Sequence, residues 1–214
     1  MSTDVLSAGA EALGVPLEES ARDRLLIYRD ELARWNRVHN LTAVRDPELM
    51  VPVHLLDSLA LVPLVRGPRV ADLGSGGGLP GLPLAIVRPQ WRVTLIEPRA
   101  KRAAFLAHVV RRLALDNVIV ARTRGEDLLA DPAGDDRFDT IACRAFGTLA
   151  EFIAAAGRLC SPGGCLLAAK GRDPGGELAQ IGAGWRGEIW PLRVPGVDAE
   201  RHVVRLEPVR PDDE

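Results

Sequence analysis

At 214 residues, with 47% apolar and 26% charged positions, the chain can bury one sizeable core, and it has no apolar run of about eighteen residues of the kind that spans a bilayer. Its formal charge is −2, from 27 basic and 29 acidic residues, which excludes a polycation. The opening MSTDVLSAGAEALG places an acid where a secretory signal carries basic residues, so a cytoplasmic protein with no membrane partner is expected. Cys143, Cys160 and Cys165 form no C-x-x-C pair and are odd in number, which predicts buried thiols and no disulfide framework. His39, His54, His108 and His202 lack the close spacing of a metal motif, and no metal is expected.

The first third reads as helix. In LEESARDRLLIYRDELARWNRV, Leu25, Tyr28, Leu32 and Trp35 recur at intervals of three and four, an apolar stripe on an otherwise charged helix. Asn36 and Asn40 read as punctuation. In DPELMVPVHLLDSLALVPLV, Asp46 can cap and Pro47 can take the first helical position, while Pro52 and Pro63 predict a broken or short element. From Pro68 onward, the apolar runs RVADLG, RVTLIE, NVIVA, FDTIACR and GCLLAAK alternate with helix-length stretches such as PRAKRAAFLAHVVRRLAL and TLAEFIAAAGRLC. That alternation predicts βαβ units and a parallel sheet covered on both faces. After Lys170, GGELAQIGAGW is a weak helix, and EIWPLRV and RHVVRLEPV, joined by PGVDAE, predict an antiparallel pair at the sheet edge. The tail DDE is expected to fray. The expected architecture is an α/β seven-stranded, mostly parallel sheet with an antiparallel C-terminal edge. Residues 1–67 form a helical extension packed on a core of 68–214.

The stretch VADLGSGGGLPGLP, residues 70–83, follows the first strand directly and sheds side chains where an α/β crevice binds its ligand. It does not read G-x-G-x-x-G, because Leu79 stands where the third glycine would be, and no K-[ST] follows to make a phosphate loop. It reads D-x-G-x-G-x-G, on Asp72, Gly74, Gly76 and Gly78. This resembles the first motif of class I methyltransferases, whose cofactor is S-adenosylmethionine. Glu97 ends the second strand 19 residues after Gly78, where the family carries an acid, and its carboxylate can accept from both ribose hydroxyls. After the third strand, RTRGEDLL sets Gly125 and Glu126 at the expected adenine edge; helix capping is the other reading for Glu126 and Asp127.

Between Arg88 and Arg124 nine basic residues stand against Glu97 and Asp116, a surplus of seven that suits either a solvated helix face or a polyanion contact. Methyl transfer depends chiefly on positioning, and its nucleophile should leave a trace at the end of the fourth strand. That strand ends ACRAFG, without the [ND]-P-P-[FY] motif of amine methylation. Cys143 is the one thiol placed for carbon-5 chemistry, and it lacks the proline-cysteine context. Guanine N7 carries no proton and needs no general base.

The motifs WNRVHNLTAVRDPELMVPVHLLDSL, DLGSGGGLPGLPLAI, RGEDL, CRAF and LLAAKG, in this order over residues 33–171, resemble the RsmG family, also called glucose-inhibited division protein B. The resemblance implies a class I, Rossmann-like fold and S-adenosylmethionine-dependent methylation of N7 of one guanine in the 530 loop of 16S rRNA. It implies 16S rRNA or the small ribosomal subunit as partner; no DNA partner is expected, and a monomer is expected although the sequence does not fix the oligomeric state. The family's cofactor contacts would fall on Gly74, Leu79, Gly125, Glu126 and Arg144, with alanine more usual where Gly125 stands, a change expected to loosen that turn. The family pattern also stresses Asn40, Leu41, Thr42, His54, Asp57 and Ser58.

On spacing alone, His54, Asp57 and Ser58 share one helical face, either as a hydrogen-bonded floor of the site or as catalytic groups. Arg144 ends a strand where α/β ligands bind, and Lys170 ends another and could meet an RNA phosphate. The catalytic residues are left unassigned, with Asn40, His54, Asp57, Ser58, Arg144 and Lys170 as substrate-site candidates. Two other functions fit the same residues: a small-molecule methyltransferase, and a non-catalytic domain that binds S-adenosylmethionine or RNA.

Overall fold

The computed structural model describes residues 2–128, 137–171 and 174–209. The acidic tail expected to fray lies outside them. Helix α1 (Ser2–Ala12) and helix α2 (Glu19–His39) precede a segmented stretch: α3 (Pro47–Met50), a π-helical turn (Val51–Leu56), α4 (Asp57–Leu59) and a 3-10 turn (Val62–Leu64). The strands are β1 (Arg69–Leu73), β2 (Arg92–Ile96), β3 (Val118–Ala121), β4 (Phe138–Arg144), β5 (Cys160–Lys170), β6 (Trp185–Pro191) and β7 (His202–Pro208). Helices α5 (Gly81–Val87), α6 (Ala100–Arg112), α7 (Leu149–Ala156) and the single turn α8 (Gly175–Leu178) lie between them.

The sheet order is β3-β2-β1-β4-β5-β7-β6. Strands β1 to β5 are parallel, and β7 runs against both β5 and β6. The antiparallel pair forms as expected, but β7 is inserted inside, so the edge strand β6 runs with the parallel five. The strand order reverses between β1 and β4, and such a reversal opens a crevice at the strands' carboxyl ends.

Alternation along β1 sorts the two faces. Val70 joins a core with Leu6, Leu25, Leu32, Leu55, Leu82 and Phe105, whereas Ala71 and Leu73 face Ile141, Phe152, Leu166 and Leu206. The N-terminal helices therefore share their core with the sheet. Each fully buried leucine there contributes about 1.5–3 kcal/mol.

Asn36 does not break α2, contrary to the sequence reading. It is buried, its amide nitrogen donates to the Val44 carbonyl at 3.0 Å, and its oxygen accepts from Thr42 N at 2.9 Å. Asn40 ends the helix in the left-handed region at φ 48°. Asp46 caps α3 by accepting from Glu48 N at 2.9 Å. Pro47–Leu64 has a mean hydropathy of 1.3, long and apolar enough by composition to cross a membrane, yet 67% of it is buried within the protein, where it serves as core. Thr148 and Glu151 form a capping box at the start of α7.

Candidate functional site

The glycines after β1 do different work. Gly74, Gly76 and Gly78 all have positive φ, at 73°, 55° and 88°. Gly74 is exposed at the crevice, and a Cβ there would project to within 3.6 Å of the Phe146 ring. The Gly76 amide donates to Glu97 Oε2 at 3.0 Å. Gly78 is a packing glycine, since a Cβ would fall 2.3 Å from Leu82 Cδ1. Leu79 is buried in the core behind the loop.

Beneath the loop, Asp72 is fully buried. Its Oδ2 accepts from Gly81 N at 2.9 Å, at the start of α5, and among the described residues its Oδ1 has no hydrogen-bond partner. Burial pushes its carboxyl up to about 7, against the opposing pull of the Gly81 amide, the nearby Ser75 hydroxyl, which donates to the Asp72 backbone carbonyl at 2.8 Å, and the Arg144 charge. Asp72 thus braces the loop from below; it does not face the crevice. Helix α2 supports the same loop: the buried Tyr28 hydroxyl donates to the Gly77 carbonyl at 2.7 Å.

A cavity of about 190 Å³ opens beside Gly74, walled by Leu73, Ile96, Pro98, Phe146 and Ala155 and edged by Arg124, Gly125 and Glu126. Glu97, buried between the lining residues Ile96 and Pro98, accepts from Gly76 N through Oε2 and from Arg99 N through Oε1 at 2.8 Å, with the Arg102 guanidinium 4.0 Å from Oε2. A carboxylate has about four acceptor positions, so two remain for a diol. The apolar walls suit a flat heterocycle, the bare Gly74 leaves room beside it, and the fixed acid suits a ribose: the residues fit an adenosyl group. Gly125 serves packing, since its φ is not in the left-handed region and a Cβ would sit 2.6 Å from Leu73 Cδ1. The expectation that glycine loosens this turn is therefore replaced by a packing role.

On the other side of Ala145, a second cavity of about 330 Å³ is lined by Asp57, Arg144, Ala145, Ala169, Lys170, Gly171 and Arg201. Arg144 Nη1 donates to the Val53 carbonyl at 3.2 Å and to Asp57 Oδ2 at 3.0 Å, while Nη2 donates to His54 Nδ1 at 2.8 Å. A guanidinium only donates, so His54 Nδ1 is the acceptor and Nε2 carries the proton toward Thr42 Oγ1 at 2.8 Å. The Val53 carbonyl also lies 2.9 Å from Nδ1, and it is Arg144 that satisfies it. Burial, then the Arg144 charge, push the imidazole down to about 4, outweighing the upward pull of that carbonyl. Ser58 Oγ donates to the His54 carbonyl at 2.7 Å. His54, Asp57 and Ser58 are hence brought together as a hydrogen-bonded cluster, without a serine-to-imidazole bond.

Arg144 lines the second cavity and not the first. Lys170 donates to the Gly147 carbonyl at 2.8 Å and to both Glu177 oxygens at 3.1 and 2.8 Å, so its three donors are engaged within the protein and the expected phosphate contact has no donor left. Asn40 is exposed, whereas Leu41 is buried near Gly77. Cys143, Cys160 and Cys165 are free and buried, and burial holds the Cys143 thiol well above its usual value, which disfavours it as a nucleophile.

Sequence reading missed Phe146, whose only signal was its place in CRAFG, and Arg201, which arrives from the turn before β7. It also missed Tyr28 as a donor. Of the basic surplus, Arg88, Arg92, Arg111 and Arg112 lie at the amino ends of the strands, whereas Arg99, Lys101, Arg102, Arg122 and Arg124 follow the carboxyl ends of β2 and β3, with Arg124 at the edge of the first cavity.

The profile of the family described as rRNA small subunit methyltransferase G matches residues 21–204. The chain is 53% identical over 181 residues to the ribosomal RNA small subunit methyltransferase G of Xanthomonas campestris pv. campestris strain 8004, covering 84% of each chain. It is 46% identical over 210 residues to the protein of the same name from Nitrosospira multiformis, covering 94% of this chain and 95% of that one. Among solved structures, it resembles a SAM-dependent methyltransferase from Aquifex aeolicus, with TM-score 0.58, 18% identity, and 82% of this chain and 97% of that one covered. It also resembles a mutant of MtNAS in complex with S-adenosylmethionine, with TM-score 0.56, 18% identity, and 86% and 73% covered. These neighbours show the class I methyltransferase fold. The chain belongs to the rRNA small subunit methyltransferase G family.

Proposed function

We propose that this chain is an S-adenosylmethionine-dependent methyltransferase acting on N7 of a guanine in the 530 loop of 16S rRNA. The observation that carries the reading is the family match across residues 21–204, whose relatives are named for ribosomal RNA methylation, coinciding with a cavity that fits an adenosyl group. Bound S-adenosylmethionine supplies an electrophilic methyl on a sulfonium leaving group. Gly74, Glu97, Gly125 and Glu126 hold the cofactor, while Asp72, Gly76, Gly78 and Leu79 shape the loop behind it. The cavity beside Arg144 and Arg201 receives the base.

Choice of N7 is supported by the state of the groups around that second cavity. The neutral His54 is engaged by Thr42 and Arg144, Asp57 lies between two guanidiniums, and Lys170 is tied to Glu177. Among the described residues no ionisable group there is left to take a proton, which suits a nucleophile that has none to give. An RNA partner is supported by the five cations at the carboxyl edge. Arg102 lies 4.0 Å from the Glu97 carboxylate, whereas Lys101 stands in the first turn of α6, where the helix dipole disfavours a cation, so local helix stability does not explain it. We include in the proposal a monomer acting in the cytoplasm, with residues 1–67 as an extension on the catalytic core.

The test is transfer of labelled methyl from S-adenosylmethionine to small ribosomal subunits or 16S rRNA lacking the modification, mapped by mass spectrometry. One N7-methylguanosine in the 530 loop is expected, with RNA binding that weakens as salt rises. Methylation of another atom overturns the N7 assignment, and salt-independent transfer to a small molecule would favour the small-molecule reading.

A further inference from the structure

The turn that edges the adenosyl cavity is held from outside by one side chain. Asp127 N and Leu128 N return to the Arg124 carbonyl at 3.2 and 3.1 Å, and Leu128 N also reaches the Gly125 carbonyl at 3.2 Å, making a single helical coil whose later carbonyls keep acceptor capacity to spare. Those of Gly125, Glu126 and Leu128 converge on Nη2 of Arg158, at 3.1 Å for Gly125 and 2.7 Å for Leu128, with Glu126 also accepting. Arg158 belongs to the 3-10 turn Gly157–Leu159 that ends α7, some 30 to 33 residues away in sequence. One guanidinium nitrogen with two N–H groups thus serves three carbonyls by sharing, and a cation suits the negative end of a coil. No carboxylate among the described residues pairs with it.

Two of those carbonyls belong to Gly125 and Glu126, both at the edge of the cavity. Gly125 is wedged on its other side, since a Cβ would meet Leu73 Cδ1 at 2.6 Å and the Ala155 carbonyl at 3.2 Å. The turn is thus fixed between the end of β1 and the end of α7. A side chain at this position would have to displace Leu73.

We propose that Arg158 is a positioning residue for the cofactor: it sets the distance between the Gly125–Glu126 edge and Gly74 without touching the reacting atoms. This rests on the reading of the first cavity as the adenosyl site. Arg158→Gln and Arg158→Lys, in the full chain, are compared by titrating S-adenosylmethionine at saturating small subunits and by calorimetry with S-adenosylhomocysteine.

Arg158→Gln is expected to raise the KM for S-adenosylmethionine and the Kd for S-adenosylhomocysteine roughly tenfold, with kcat within about twofold of wild type. Lysine, which keeps the charge and loses the planar fork, should fall between. Amide exchange should quicken in residues 124–128 of the glutamine variant. Phe146→Ala, which strips one wall of the cavity, separates the two ideas. If it weakens S-adenosylhomocysteine while Arg158→Gln leaves both constants unchanged, or lowers kcat alone, the positioning role is overturned. If Phe146→Ala also changes nothing, the cavity is not the adenosyl site and the underlying reading falls.

Discussion

The Asp57 carboxylate reaches across from the segmented N-terminal stretch to the end of β4, where its Oδ2 accepts from Arg144 Nη1 at 3.0 Å. Its other oxygen accepts from Arg201 Nε at 2.8 Å. One buried anion therefore holds together parts of the chain that are 87 and 144 residues away in sequence. Asp57→Asn keeps the shape and removes the charge, leaving two partly buried guanidiniums without a counter-ion. We expect a loss of about 2–3 kcal/mol, seen as a fall in Tm of roughly 5–10 °C, and a fall in kcat larger than any change in cofactor affinity. Thermal melts with steady-state kinetics check both; an unchanged Tm would show that the bridge contributes nothing.

Two buried groups give opposite dependences on pH. His54 is lowered from 6.5 to about 4, so between those values the unfolded chain binds the extra proton and stability rises with pH, by about 3 kcal/mol in all. Asp72 is raised from 3.8 to about 7, so in that window the folded chain binds the extra proton and stability falls with pH, by about 4 kcal/mol. In the wild type the two largely offset. Relative to wild type, His54→Gln should lose stability with rising pH and Asp72→Asn should gain it, as read by urea denaturation at about pH 4.5, 6 and 7.5. Parallel curves for all three proteins would be the contrary result.

Tyr28 couples α2 to the glycine loop through its bond to the Gly77 carbonyl. Tyr28→Phe leaves that carbonyl buried and unpaired, which costs about 1–2 kcal/mol, and should raise the KM for S-adenosylmethionine several-fold. Chemical denaturation and cofactor titration measure the two effects.

Cys143 sits in the core beside α7 with its thiol kept protonated by burial, then by the nearby Asp72 charge, against the weaker pull of Lys170. Cys143→Ala should retain methyl transfer to within about twofold and lose about 1 kcal/mol of stability. Loss of activity with the fold intact would restore a nucleophilic role to this residue.

The amino-acid sequence determined the elements and the place of the site, because these depend on local periodicity and on short motifs. Alternating apolar runs marked the parallel strands; the stripe of Leu25, Tyr28 and Leu32 marked α2; the bare loop after β1 and the acid ending β2 marked the crevice. Only the tertiary structure decided what each group does there. Whether a glycine serves a ligand, a neighbour or both depends on what packs against it, which made Gly78 a packing position, set Gly125 between Leu73 and the cavity edge, and made Asp72 a brace. His54, Asp57 and Ser58 looked like a helical trio because sequence spacing records distance along the chain, not the partner across it. Thr42, Arg144 and Arg201 supply those partners from remote segments. Insertion of β7 beside β5 follows the same logic: the sequence marks two strands that pair, but which of them enters the sheet depends on tertiary burial, and β7 buries Val203, Val204 and Leu206 beside β5 whereas β6 buries no residue fully.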